Sequence, residues 1–164
     1  MQLISYVGKF IYDSIYPDQN PIEPNNPQVE KILELLKRCP LFSSLSDKLS
    51  KEGTAVKVVP LTFEECQDKG VKRSMLDYSS TSMFSKTIHK IYYDTSLPFE
   101  KQVHGVLMEY CNLNHIREFV DLDNRTTSGK VKKQEYIEEK ESIEYQSFKE
   151  FVEIAKKIEE MKLL

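Results

Sequence analysis

The clearest pattern of apolar and polar positions in the chain runs through Pro98–Val120. Apolar residues recur there at the i, i+3, i+4, i+7 and i+8 positions, which is the spacing of a helix with one buried face. They are Val103, Val106, Leu107, Tyr110 and Cys111. The pattern predicts a single helix over 98–120, and the polar run after it predicts a loop over 121–130.

The part of the chain before this helix contains weaker patterns. Helical spacing predicts a helix over about 28–38, ended by Pro40, and a second short helical or irregular piece over 41–51. β-branched residues predict a strand over 55–61, and Pro60 places that strand toward a sheet edge because proline cannot donate a ladder hydrogen bond.

Between the first strand and the central helix the pattern changes twice. Residues 62–86 predict mostly loop, with at most one short strand or turn of helix. Residues 87–93, TIHKIYY, predict the best strand of the chain because they are rich in β-formers. From about residue 133 the chain is predicted to be helical to its end, with a possible kink near 145–147.

The first residues form an amphipathic pattern of their own. Six apolar positions share one helical face, with Lys9 and Asp13 on the other. They are Leu3, Ile4, Val7, Phe10, Ile11 and Ile15. The pattern predicts an N-terminal helix over 1–16, either docked on the core or, through residues 3–15, docked on a membrane or a partner. Lys9 and Asp13 interrupt the apolar run and argue against a cleavable signal peptide.

These elements predict an α+β fold with a short mixed or antiparallel sheet packed on two or three helices. The proline-rich residues 17–27 would link the N-terminal helix to one domain over 28–164. A chain of 164 residues with 40% apolar and 30% charged residues is long enough for one such domain.

The net charge and the cysteine content exclude some classes of function and favour one cellular location. A net charge of −3 and a pI near 5.7 argue against a nucleic-acid-binding protein. Three cysteines make an odd count without metal-type spacing, which favours reduced thiols and a cytoplasmic location. No stretch approaches the length of a membrane span.

Potential ligand and catalytic residues crowd onto the central helix, but they form no complete catalytic signature. His104, Met108, Cys111 and His115 share one stripe, and Glu109 and Asn112 lie beside it. The two histidines would sit about 16 Å apart along the axis, so one ion cannot bind all four residues. Cys111 and His115 could supply two ligands of a zinc site, with a carboxylate as the third.

The C-terminal helix shows an anomaly in its charges. Ile137, Phe148 and Val152 fall on one predicted apolar face, and Glu141 and Glu144 fall between them. Carboxylates in a buried stripe are costly unless they are paired, hydrogen-bonded, metal-bound or protonated. Either this part of the face is partly exposed, or both glutamates point into a polar pocket that faces the central helix.

The order of these features resembles a known family. A strand (TIHKIYYD), a helix centred on Glu109, a loop and a second helix with inward carboxylates is similar to the layout of zincin-like metallopeptidases. More narrowly, LMEYCN followed by YIEEKESIEYQS resembles metallopeptidase-like domains among secreted proteins of intracellular bacteria. The resemblance covers roughly residues 55–158.

The resemblance implies a role for each matching position. Met108 stands where such enzymes have their first zinc histidine, and Asn112 where they have the second. Glu109 stands at the general base, and Glu141 or Glu144 at the third ligand. Because both imidazoles are missing, the zinc-bound water of that chemistry has no obvious site here.

The implied function is therefore binding without catalysis. The resemblance suggests a pseudo-metalloprotease without cofactor that binds a protein or peptide partner, and it suggests a bacterial effector secreted into a host cell. Its expected pocket is formed by the residues that face the cleft. They are His104, Met108, Asn112, Glu141, Glu144 and Tyr145.

Two alternatives remain open at the level of sequence. One is an active hydrolase with an unusual zinc site built from Glu109, His104 or His115, and Glu141 or Glu144. The other is a plain α+β adaptor that docks through its N-terminal helix.

Overall fold

The structure is a computed structural model that describes residues 26–83 and 86–164, with only the backbone described for residues 81–83. Within these residues it contains six helices and one three-stranded sheet. The helices are α1 (Pro27–Lys37), α2 (Pro40–Lys51), α3 (Phe63–Lys69), α4 (Phe99–Asn114), α5 (Ile116–Thr127) and α6 (Lys133–Glu160). The strands are β1 (Thr54–Leu61), β2 (Ser74–Met83) and β3 (Lys86–Asp94).

The architecture confirms the predicted α+β class. α1, α2, β1 and β3 lie within one or two residues of their predicted bounds. The helix predicted over 1–16 and nearly all of the linker predicted over 17–27 lie outside the described residues. Among the helices that the structure describes, none combines the length and the apolar character needed to cross a membrane.

The sheet is mixed, as predicted, with β3 at its centre. β3 pairs in parallel with β1 and antiparallel with β2. Pro60 therefore lies on an edge strand, as predicted, where a residue without an N–H is tolerated. Register shifts between Asp77 and Ser80 mark a bulge in β2.

The two faces of the sheet pack against different helices. Leu76 and Ile91 belong to the main core, which also contains buried residues of α1, α2, α4 and α6. Their neighbours Met75 and Tyr92 point the other way and pack on a small cluster formed with α3. This alternation is the period of two expected of strands covered on both faces.

Helix α4 is the centre of the main core. The apolar face predicted for it is buried throughout, and the helix packs against β2 and β3 as well as α6. At Gly105 the backbone of α4 comes so close to β2 that an added Cβ would lie 3.2 Å from the Cβ of Ser74. The prediction of one buried face on this helix is confirmed.

The predicted extent of that helix is wrong. α4 ends at Asn114, His115 forms a turn, and α5 continues to Thr127 through the stretch predicted as a loop. Residues 121–127 were predicted as a loop because α5 buries only Phe119 and Leu122, with Ile116 partly buried, while its remaining side chains are polar or exposed. A helix with so narrow an apolar face resembles a polar loop in a sequence.

The prediction of mostly loop over 62–86 is also wrong, since α3 and β2 occupy most of it. The ends of α3 are encoded locally. Thr62 and Glu65 form a capping box at its start, and Gly70 ends it in the left-handed conformation at φ 71°.

Helix α6 is continuous over its 28 residues, but its buried face differs from the predicted one. The buried residues are Ile143, Ser147, Ile154 and Ile158. Ile137 and Phe148, which were predicted to face the core, are 37% and 50% exposed. The helix carries apolar residues on two faces, and tertiary packing selects only one of them.

Candidate functional site

Glu109 lies at the middle of α4 and is buried, with both carboxylate oxygens engaged. One oxygen accepts a hydrogen bond from the Ser74 hydroxyl at 2.8 Å. The other accepts from the backbone N–H of Leu76 at 3.2 Å and from Asn112 Nδ2 at 2.9 Å. The side chain therefore fastens α4 to β2, and three donors satisfy a charge that would be costly if buried alone.

Met108 and Asn112, the positions that match zinc histidines in the resemblance, are both partly buried. The Asn112 amide donates to Glu109, while its Oδ1 is a buried acceptor that has no hydrogen-bond partner in the described part of the chain. Asn112 thus helps to satisfy Glu109. The structure brings these two predicted site residues together.

His104 of α4 and His115, which follows the end of α4, lie in separate environments. The His104 ring packs edge-on against Phe151 of α6, with the centroids 5.8 Å apart. His115 Nδ1 lies 2.8 Å from Glu118, and its Nε2 lies 3.3 Å from Glu150. Each His115 nitrogen therefore already has a carboxylate partner.

Cys111 is fully buried in the main core, so it is poorly suited to bind zinc with His115. Burial first, and then the negative charges of Glu150 and Glu109, raise the pKa of its thiol well above the usual value. A cysteine binds zinc as the thiolate, and this environment disfavours the thiolate. Within the described residues no group of three His, Cys, Asp or Glu side chains is arranged to hold a metal ion.

Glu141, Glu144 and Tyr145 are exposed on the outer face of α6. Glu144 lies 3.8 Å from Lys140, one turn earlier, and Tyr145 is 62% exposed. Of the two alternatives for these glutamates, the structure agrees with the exposed face, and it places neither of them in a pocket facing the central helix. The carboxylates therefore remain hydrated and need no pocket.

The residues predicted to share one pocket are instead distributed over several surfaces. His104 lines a groove between α4 and α6 with a volume of about 250 Å³. Tyr145 lines a shallow depression of α6 with Ser142 and Lys149. Neither of these cavities includes Met108 or Asn112.

Gln102 and His89 are among the buried polar residues that sequence reasoning missed. Gln102 receives a hydrogen bond from Gln28 at 2.6 Å and donates to the carbonyls of Thr95 and Leu97, so it joins α1 to the loop before α4. His89 of β3 is buried, its Nδ1 has no partner among the described residues, and burial lowers its pKa. The position of Gln102 next to Val103 in the helical spacing was a signal for its burial, but its partners are brought near only by the fold.

Tyr78 of β2 is a third residue that the sequence did not single out. Its ring packs edge-on against Phe119, with the centroids 5.6 Å apart. Burial, followed by the negative charges of Glu109 and Glu144, raises its pKa to about 12. The hydroxyl is therefore protonated at neutral pH and faces an acidic environment.

No zinc chemistry can be derived from these residues. Glu109 is bound on both oxygens, Met108 and Asn112 are poor zinc ligands, and the third-ligand candidates Glu141 and Glu144 are exposed on another helix. Comparison of the chain with models of known protein families, with curated proteins and with solved structures finds no match.

Proposed function

We propose that this chain is a non-catalytic domain that binds a protein partner carrying apolar and basic side chains. Its binding surface would be the outer face of α6, here called the α6 stripe and formed by Ile137, Glu141, Glu144, Tyr145 and Phe148. The zincin-like resemblance remains part of this proposal, as the origin of a domain that has lost its imidazoles.

The observation that carries the proposal is the exposure of large apolar side chains at helical spacing. Ile137, Tyr145 and Phe148 are 37%, 62% and 50% exposed. From Ile137 to Phe148 the stripe extends about 16 Å, or three turns. Clustered exposed aromatic residues are characteristic of interaction surfaces, whereas single exposed apolar residues are ordinary.

The charge of the stripe indicates the chemistry of its partner. The first half of α6, residues 133–144, contains five glutamates and two lysines. Glu141 lies beside the apolar residues and forms no salt bridge with any described residue, whereas Glu144 lies 3.8 Å from Lys140. An amphipathic segment with lysine or arginine at its edges would complement this surface in both charge and apolar character.

The state of Glu109 supports binding rather than hydrolysis. A general base must be able to reach and accept a proton from water or substrate. Here each oxygen of Glu109 accepts from groups of the domain itself. The carboxylate is therefore already hydrogen-bonded within the domain, where it links α4 to β2.

A direct test uses two fluorescent helical peptides of leucine with either lysine or glutamate, and measures binding to the full chain by anisotropy. We expect the lysine peptide to bind more tightly, with an affinity that falls as salt is added. The double variant Tyr145→Ser, Phe148→Ser should weaken binding by about tenfold or more, because exposed aromatic anchors each contribute roughly 1–2 kcal/mol.

Val120→Ser provides the matched control, since Val120 is 42% exposed on a different helix. This variant should bind the lysine peptide as the wild type does. Equal binding of both peptides, or an equal loss in the control, would show that the α6 stripe is not the binding surface.

The hydrolase alternative is tested on the same samples. Mass spectrometry of the incubated peptides should find them intact, and a chelator should leave the melting temperature unchanged. A stoichiometric metal that stabilises the native protein would overturn the pseudoenzyme proposal. So would peptide cleavage that is abolished by Glu109→Gln.

A further inference from the structure

We infer that the α6 stripe of one copy of this chain binds the sheet of a second copy, on the half of the sheet that α3 leaves open. This half is here called the outer sheet face and is formed by Ala55, Lys57, Lys86, Ile88 and Lys90. The inference rests on the proposed function, because it uses the same α6 stripe and names its partner. The contact joins identical domains head to tail.

On β1 the outer sheet face follows from the alternation of side chains along a strand. Val56 and Val58 pack against the main core, so Ala55 and Lys57 point to the opposite side of the sheet. On that side α3 covers only the end of the sheet, where Val59 packs on the cluster of α3. Ala55 belongs to none of the described hydrophobic clusters and is only partly buried.

The same alternation places three residues of β3 on this face. Tyr92 packs on the cluster formed with α3, and Lys86, Ile88 and Lys90 precede it at steps of two residues. Ile88 is only partly buried and also belongs to none of the described clusters. Within the described part of the chain, no helix packs on this half of the sheet.

The outer sheet face carries positive charge that the domain itself does not neutralise. Lys57 and Lys90 are partners in the ladder of β1 and β3, so their backbones lie about 4.8 Å apart. Neither they nor Lys86 form a salt bridge with a described residue. Asp77 lies beside Lys90 on β2, but one of its carboxylate oxygens accepts hydrogen bonds from the N–H and the hydroxyl of Ser79. Like charges on neighbouring strands repel, and an acidic partner would relieve that repulsion.

The α6 stripe has the complementary chemistry. Its exposed apolar residues flank Glu141, which forms no salt bridge with a described residue, and Glu144. The stripe is about 16 Å long, and Lys86 to Lys90 spans about 13 Å of extended strand, so the two surfaces are similar in length. The apolar and basic outer sheet face thus matches the partner that the stripe requires.

The contact has to form between two copies. α6 contributes Ile154 and Ile158 to the main core, so it lies on the core side of the sheet. The outer sheet face lies on the other side, where one copy cannot reach it with its own stripe. Since the two surfaces are different patches, each copy can bind one neighbour through its stripe and another through its sheet. Such a small interface gives weak association.

Sedimentation velocity of the full chain at up to about 1 mM, a range suited to a weak interface, tests the inference. We expect association that rises with protein concentration and falls as salt is added. Two double variants reverse the charge of one surface each: Lys57→Glu, Lys90→Glu on the sheet, and Glu141→Lys, Glu144→Lys on the stripe. Each should weaken association by about tenfold or more.

Mixing the two variants should restore association, because the reversed sheet of one is then complementary to the reversed stripe of the other. The control Lys37→Glu, Lys101→Glu makes the same change in net charge at exposed positions of α1 and α4. It should associate as the wild type does. Circular dichroism checks that every variant is folded.

Three results would overturn the inference: a wild type that stays monomeric, a charge-reversed variant that associates as the wild type does, or folded variants whose mixture does not associate. The lysine peptide of the binding test separates this inference from the proposed function. Binding of that peptide by a monomeric wild type would overturn the second copy as partner and leave the α6 stripe as a binding surface. Absence of both would overturn both.

Discussion

The contact between Glu109 and β2 yields the sharpest prediction for stability. In Glu109→Leu the carboxylate is lost, and the N–H of Leu76 remains buried without an acceptor. An unsatisfied buried donor costs roughly 1–3 kcal/mol. Ser74 and Asn112 are only partly buried and can bond to water instead, so they add less. We expect a total loss of about 3 kcal/mol in the free energy of unfolding.

Glu109→Gln should be much milder. The amide oxygen can accept from Leu76 and Asn112, while the amide NH₂ donates to the Ser74 hydroxyl, which can reverse its role. The number of hydrogen bonds is preserved and only their charge assistance is lost. We expect a cost of about 1 kcal/mol.

Urea unfolding followed by circular dichroism measures both variants, with the slope of the transition unchanged. In thermal unfolding a loss of 3 kcal/mol should lower Tm by roughly 6–12 °C in a domain of this size. Glu34→Leu is the control, because Glu34 is exposed on α1 and should stay within about 0.5 kcal/mol of wild type. Equal costs for Glu109→Leu and Glu109→Gln, or a cost below about 1 kcal/mol for Glu109→Leu, would refute this account of Glu109.

Four further outcomes are expected. The hydrogen bond from Arg125 lowers the pKa of Glu139 from its usual 4.5. The difference in the free energy of unfolding between wild type and Arg125→Ala should therefore shrink as the pH falls below 4.5, and a difference that grows in acid would contradict this. Gly105→Leu should destabilise by about 1–3 kcal/mol through overpacking against β2, and an unchanged Tm would show that the helix can move away. Thr62→Ala should cost about 1 kcal/mol by removing the capping box of α3, as measured by urea unfolding. All three thiols should resist a thiol reagent until the protein is unfolded in urea, and reaction of the folded protein would contradict their burial.

Elements whose signals are local could be predicted from the chain. The apolar face of α4 is wide enough to be recognised by spacing, and β3 is rich in β-formers. Pro60 identified an edge strand because the missing N–H is a property of that residue alone. The capping box of α3 is an equally local signal in the sequence, but the prediction of mostly loop over 62–86 did not use it.

The candidate site could not be predicted in the same way. Glu109 was singled out as a potential base, but its partner Ser74 lies 35 residues away, and only the packing of α4 on β2 brings the two together. Glu141 and Glu144 were predicted as site residues because the face of α6 that carries Ile137 and Phe148 was predicted to be buried. That prediction was wrong because α6 carries apolar residues on two faces.

Spacing and composition along this chain thus determined α1, α4, α6, β1 and β3, since backbone periodicity and β-propensity depend on neighbouring residues. Tertiary packing decided which face of α6 is buried, where α4 ends, and whether Glu109 is free. Those outcomes depend on competition between surfaces for one core, and the free energy of burial is known only when both surfaces are present. The exposed α6 stripe is a result of that competition, and it is the surface from which the binding function is proposed.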